Sequence, residues 1–372
     1  MSFNKGKTLV LAALLLTAIA IFYLAVNGHF TSNIEAEVYS LNGTPISVNN
    51  VLSLNEEMVI TNENNKLLGY NLWNNEFIWD IPLKNPVNRF WDIGGRAVIE
   101  SLSGASMVDL ISHKTLWDFT AGGEIERVVD VCKSFIVFES RTKKAEEKCA
   151  FYFINNEGEA EWNFPLHTEA VLCGAISSDE EYISISTLEI SDYIKSRIYL
   201  FNKNGDIIWA KIFDNEIITF IFFNGEDVGA LIENTLIYIS PNGNIKEETK
   251  LSGTVMMASA SKEGHIAICR KDSPESNIVK DIGRTYIDLY GGSTGKRLWS
   301  VELENDCRHL NISDDGYLVV VSTTNRVVAI TRKGDIAGEY NTDFSIDKMI
   351  ISPFGIPFII SHENGSVLVY DL

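Results

Sequence analysis

Few side chains in this sequence stand at the spacings that chemistry requires. The six histidines, His29, His113, His167, His265, His309 and His362, are scattered. No H-E-x-x-H or H-x-H pair is present to hold zinc from a helix or a strand. The five cysteines, Cys132, Cys149, Cys173, Cys269 and Cys307, form no C-x-x-C pair, which leaves zinc-ribbon and thioredoxin-type chemistry without a motif. They read as thiols acting as small hydrophobes, with a disulfide permitted outside the reducing cytosol. No G-x-S-x-G elbow offers a nucleophilic serine. Asn202-Lys203-Asn204-Gly205-Asp206 has the look of a calcium loop but lacks its spaced carboxylates and closing Glu, so it reads as a hairpin turn. Asp314-Asp315 and Glu146-Glu147 read as turn and solvated carboxylates. The sequence therefore nominates no catalytic residue, no metal ligand and no cofactor, although distant loops can still assemble a site.

The conspicuous pattern is structural. Asn202-Lys203-Asn204-Gly205-Asp206-Ile207-Ile208-Trp209 recurs as Ser293-Thr294-Gly295-Lys296-Arg297-Leu298-Trp299 and Asn155-Asn156-Glu157-Gly158-Glu159-Ala160-Glu161-Trp162. Looser copies end at Trp79 and Trp117. Pro241-Asn242-Gly243-Asn244-Ile245 and Arg332-Lys333-Gly334-Asp335-Ile336, which leads to Tyr340, keep the turn without the indole. Each copy follows a short apolar run, so each reads as strand, turn, strand. The six intervals from Trp79 to Tyr340 average about 43 to 44 residues, the length of a four-stranded propeller blade. A second phrase recurs in step: Ser177-Ser178-Asp179-Glu180, Ser261-Lys262-Glu263-Gly264, Ser313-Asp314-Asp315-Gly316 and Ser352-Pro353-Phe354-Gly355. It marks the turn between the first two strands, A and B, of a unit. In the fourth unit, residues 170–176, 182–187, 197–202 and 207–213 read as strands A to D.

Seven units are complete, and an eighth runs from Phe344 to Leu372 without a D strand. The segment from Ile34 to Val48 is expected to supply it, closing the ring and removing its open edges. The expected fold is thus an all-β, eight-bladed β-propeller of four-stranded antiparallel blades, sealed by pairing of the two terminal strands, with a seven-bladed ring as the alternative.

This organisation resembles the quinoprotein-like (PQQ-repeat) propellers, because Thr294-Gly295-Lys296-Arg297-Leu298-Trp299 is close to that family's tryptophan-docking phrase. The Ser-x-Asp-Gly turns look more like WD40 or TolB-type repeats. The resemblance spans most of residues 35–372. It implies that Trp79, Trp117, Trp162, Trp209 and Trp299 dock against the neighbouring blade, leaving Trp73 and Trp91 as candidates for surface roles. For catalytic members it implies pyrroloquinoline quinone with calcium, an acidic base and an adjacent Cys-Cys pair. This chain has no Cys-Cys, so a non-enzymatic role is expected.

Insertions point to where a partner binds. In a propeller blade the B–C and D–A connections share one face, and the long ones here are B–C loops: residues 140–148, 188–196 and 271–283. Long loops on a rigid scaffold often carry function. Arg141, Lys143 and Lys144 form a basic island, whereas Leu188, Ile190, Tyr193 and Ile194, with Ile278, Val279 and Ile282, are apolar clusters suited to contact.

Placement follows from charge and the amino terminus. The formal net charge is −19 with no long basic run, which disfavours nucleic acid and anionic lipid as partners of the soluble part. Lys5 and Lys7 precede an uncharged stretch, Thr8 to Val26, long enough for a bilayer, and Glu35 and Glu37 follow it. Residues 1–7 are expected as a cytoplasmic tail, 8–26 as a single-pass transmembrane anchor, 27–34 as a linker and 35–372 as an external propeller. A cleaved signal peptide with a mature start near His29, giving a secreted protein, is the alternative. The function expected is a cell-membrane interaction scaffold for an extracytoplasmic protein, with envelope assembly as its setting. The other reading is a ligand sensor or enzyme with a site in the central channel.

Overall fold

The computed structural model describes residues 37–40, 50–54, 57–72, 74, 76–141, 149–166, 168–272, 283–291, 295–342, 345–351, 357–363 and 366–371, with the backbone alone at 37–40, 125, 357–363 and 366–371. The middle strands of each repeat are nearly continuous apolar runs, such as Phe135-Ile136-Val137-Phe138 and Leu318-Val319-Val320-Val321. A strand of that composition must be covered on both faces, and stacking sheets side by side around an axis does so. Seven four-stranded antiparallel blades result, spanning residues 51–82, 89–119, 125–166, 169–214, 218–250, 254–303 and 309–341. First strands of successive blades lie against one another, as in blades 4 and 5 or 6 and 7, so strand A surrounds the axis and strand D forms the rim.

Side-chain alternation divides the core among the blade interfaces. Phe135 and Val137 pack toward blade 4, with Ile183, Ile185, Tyr199 and Phe201. Ile136 and Phe138 pack toward blade 2, with Val98 and Met107. In blade 4, Ile198 and Leu200 point the other way, into a layer with Ile221, Phe223 and Ile237 of blade 5. No blade has a core of its own.

The turn-tryptophan phrase locks these layers. In all seven blades the C–D pairing shifts register at the same place, for example between Leu200↔Trp209 and Phe201↔Ile207. This bulge brings the indole inward while the residue before it, such as Ile208 or Leu298, stays exposed. The indole then meets the C–D turn of the next blade. Trp117 Nε1 donates to Asn156 O at 2.8 Å and Trp162 Nε1 to Lys203 O at 2.9 Å. Trp299 Nε1 donates to Arg332 O at 3.2 Å. The turn itself is held by Asn202 Oδ1, which accepts from the amides of Asn204 (3.0 Å) and Asp206 (2.9 Å). Its Gly205 has φ +88, and a Cβ there would stand 2.8 Å from the Trp162 ring, so both backbone and contact require glycine. At Trp79 the covering residue is His113, stacked at 5.1 Å.

Several expectations need correction. The structure is a propeller of seven blades, one for each copy of the turn phrase, rather than a ring of eight such units. The strands left over at the two chain ends form a separate terminal sheet, in which Glu37–Ser40 pairs with residues 368–371 beside Pro357–Glu363 and Lys348–Ile351. Being assembled from both ends, it has no C–D turn. It lies between blade 7 and blade 1, where Lys348 Nζ donates to Val51 O at 2.6 Å. In blade 7 the residue at the indole's register is Gly338, opposite Ala329, and not Tyr340. Trp91 is half-buried, packed against the layer between blades 2 and 3. No transmembrane helix is present among the described residues, where no helix is long and apolar enough to cross a membrane. Residues 8–26 and Trp73 lie outside the described residues.

Two predictions follow from this packing. Trp162 lies among Phe151, Phe153 and Phe201, with centroids 5.2–5.9 Å away, so Trp162→Ala is expected to cost about 3–5 kcal/mol. The check is a lowered urea midpoint; an unchanged one would mean the indole does not hold blades 3 and 4 together. The second concerns Asp130, which ties the inner strands of those blades by accepting from Ile176 N (2.8 Å) and Val131 N (2.9 Å). Burial outweighs these bonds and pushes its carboxyl up to about 6. A folded-state value above the unfolded one means that the contribution is fully present below the unfolded value and is lost as pH rises through about 6. Asp130→Asn should therefore flatten the fall in stability between about pH 4 and 7 seen in denaturant titrations; parallel curves for variant and wild type would refute it.

Candidate interaction face

The B–C insertion of blade 4 is not an irregular loop. Strand B runs Tyr182–Ile190 and strand C runs Ile194–Asn202, both longer than their apolar cores suggest. Their ladder continues to the pair Ile190↔Ile194, and only residues 191–193 turn. Ser191 N donates to Tyr193 O at 3.3 Å, and Lys195 Nζ stands 5.1 Å from the Tyr193 ring centre. The result is a stiff hairpin that projects with Ile190 74% and Tyr193 47% exposed, Ile194 being half-buried beneath them. An isoleucine that open to water contributes little to stability and much to any surface that covers it.

Other apolar residues at the same end of the ring went unnoticed in the sequence. Leu102 occupies the two-residue B–C turn of blade 2 and is 74% exposed, Ile217 precedes strand A of blade 5, and Met256 is the extra residue of a bulge in strand A of blade 6. Short turns and strand interiors hid them, because attention goes to insertions. Met256 had a signal, since Val255-Met256-Met257 breaks the period of two.

Of the other candidates, Arg141 ends strand B of blade 3 opposite Cys149, half-buried, with its carbonyl accepting from Glu124 N at 2.9 Å. It shares the face with the hairpin and sits one blade away. Lys143, Lys144, Ile278, Val279 and Ile282 lie outside the described residues.

Beneath this face runs a belt of carboxylates, each committed to structure. Glu100 Oε2 accepts from Val128 N of the next blade at 2.8 Å. Glu126 accepts from Ala121 N and Gly123 N at 2.9 Å. Glu139 pairs with Arg127 and accepts from Val171 N of blade 4 at 3.3 Å. Glu169 pairs with Arg197 and accepts from Thr187 Oγ1 (2.7 Å) and the Tyr199 hydroxyl (3.1 Å). Around blade 6, Arg270 pairs with Asp288 at 2.6 Å and with Asp272, its guanidinium 4.5 Å from the Tyr286 ring. Such groups rigidify the base of the hairpins.

Among the described residues no three His, Cys, Asp or Glu side chains gather to hold a metal. The five cysteines are free thiols, with Cys269 and Cys307 in side-chain contact. Burial pushes Cys132 and Cys149 up to about 12, so those two stay protonated and unreactive. A quinone held by calcium and an adjacent cysteine pair does not fit these residues.

With this geometry the fold has clear counterparts. The C-terminal WD40 domain of Sif2 superposes with a TM-score of 0.61 at 14% identity, covering 87% of this chain and 96% of that one. BamB from Moraxella catarrhalis gives 0.53 at 14% identity, covering 90% and 98%. The quinohemoprotein alcohol dehydrogenase from Comamonas testosteroni gives 0.56 at 11% identity, covering 90% and 75%. At such identities the likeness shows the WD40- and PQQ-like propeller fold and nothing more. No curated protein matches the sequence. The family model described as a family of unknown function, DUF5711, matches residues 49–369, and the chain belongs to that family.

Proposed function

We propose that this protein is a non-enzymatic, membrane-anchored interaction scaffold whose propeller stands outside the cell membrane and captures a partner protein on its B–C face. The observation that carries the reading is the blade 4 hairpin, which holds Ile190, at the end of a paired strand, and Tyr193, in the tight turn, in water rather than folding them onto the rim. Rigid aromatic and aliphatic anchors surrounded by polar groups suit protein recognition. The ionisable groups beneath them are already bound to backbone or arginine, which supports binding over catalysis. The membrane and envelope parts of the reading are supported by the sequence, through the uncharged run from Thr8 to Val26 and the resemblance to quinoprotein-like propellers.

The test uses a photo-crosslinking residue at position 192, in the exposed turn beside the two anchors, in native membranes. A discrete adduct is expected, and adding Ile190→Ser with Tyr193→Ser to the same chain should abolish it while shifting stability by no more than about 0.5 kcal/mol, as surface changes do. An unchanged adduct, or collapse of the fold, would sink the proposal. The anchor is checked separately: alkaline extraction should leave the chain in the membrane pellet with its N-terminal segment intact, and a mature start near His29 would overturn it.

A further inference from the structure

Three of the five cysteines turn their sulfur toward an oxygen. Cys132 Sγ donates to Phe135 O at 3.4 Å, Cys149 Sγ to Glu139 Oε1 at 3.5 Å, and Cys173 Sγ stands 3.1 Å from Ser186 Oγ. The other two face each other. Cys269 lies in strand B of blade 6 and is 1% exposed; Cys307 lies in the connection from blade 6 to strand A of blade 7 and is half-buried. Their side chains are in contact, the Cys307 S–H pointing at Cys269. Cys307 Sγ also stands 3.9 Å from Met257 Sδ, and Met257 is the residue opposite Cys269 in the A–B ladder. Both thiols belong to the apolar layer shared by blades 6 and 7. The residue before Cys307 fixes this approach, since Asp306 accepts from Lys271 Nζ at 2.7 Å and Thr285 Oγ1 at 3.0 Å, which oppose each other across strands B and C of blade 6.

We propose that Cys269 and Cys307 form a disulfide that braces blade 6 against blade 7. Trp299 closes the same interface at the C–D turn, through Arg332 O, and the bridge would close it at the opposite, D–A end. The oxidant is a second disulfide, of a small thiol or of a thiol–disulfide oxidoreductase. Half-buried Cys307 is the sulfur it can reach. The Cys307 thiolate attacks the oxidant's S–S bond, giving a mixed disulfide and releasing one thiol. Cys269 then attacks the Cys307 sulfur, closes the protein bridge and expels the second thiol. Two protein thiols lose two electrons and two protons, and the oxidant leaves as two thiols. Persistence of the bond in cells rests on the external placement proposed above, because the cytosol keeps thiols reduced; the chemistry of the pair does not.

The test starts from the reduced, purified full-length chain and adds glutathione disulfide. After alkylation in denaturant and digestion, mass spectrometry should find one bridged peptide, Cys269 to Cys307, with Cys132, Cys149 and Cys173 alkylated. Closing the segment between the two cysteines should raise the melting temperature by about 5 °C or more, reversibly with dithiothreitol. Cys307→Ser should lose both the bridge and the shift. Five alkylated cysteines, a bridge between other positions, or glutathione left on Cys307 without closure overturns the proposal, and so does a bridge that leaves the melting temperature unchanged. If Cys307→Ser does not fold, the peptide map of the unaltered chain decides alone. Acid-trapped protein from cells should carry the bond; a pair that is reduced in cells yet closes in the purified chain supports this assignment and counts against the external placement.

Discussion

Everything in this molecule depends on burying both faces of every blade at once. A sheet with Ile136 and Phe138 on one side and Phe135 and Val137 on the other has no stable existence unless two neighbours cover it. The blades therefore share cores in series, and the relative rotation of each pair decides whether those shared layers pack. The bulge at the start of strand D and the indole beyond it set that rotation, because the indole spans from one blade to the turn of the next. The same device leaves a row of aliphatic residues, Ile78, Leu116, Ile208 and Leu298 among them, on the rim. Their exposure follows from the bulge and needs no binding partner to explain it.

The polar residues inside the ring obey the same demand. Glu100, Glu139 and Asp130 each reach an amide of the following blade, so they work as cross-braces between inner strands whose edges face each other without pairing. A bulge in strand A leaves amides without ladder partners, and a carboxylate from the adjacent blade is a compact way to satisfy one. Buried acids are therefore frequent here without any of them marking chemistry.

Much of this was legible in the sequence, through Gly205 and Trp209 and their copies, because turn chemistry and an aromatic at fixed spacing are local properties. Blade boundaries within the fourth repeat were readable to within a few residues, except that strands B and C run on through Leu188 and Lys195. Polar residues such as Ser191 and Asp192 made that stretch look like a loop, and only cross-strand pairing extends it. The bulge left a trace in pairs such as Ile207-Ile208, where two apolar neighbours defy alternation, but its meaning needs the partner strand. The residue at the indole's place in blade 7 was hidden for the same reason, since register and not composition identifies Gly338. The carboxylate belt was invisible because each acid binds an amide tens of residues away. The apolar tip formed by Ile190 and Tyr193 was anticipated by residue type; its stiffness was not.

The terminal sheet has a mechanical meaning. The two chain ends meet in four residue pairs, Glu37 with Asp371 through Ser40 with Leu368, and no covalent link reinforces them among the described residues. Tension entering from the amino-terminal side runs along strand Glu37–Ser40 and loads those pairs together in shear rather than peeling them one by one. A four-pair clasp is short, so it is the place where a pulled ring would yield first, and the seven blades behind it would stay stacked until it did.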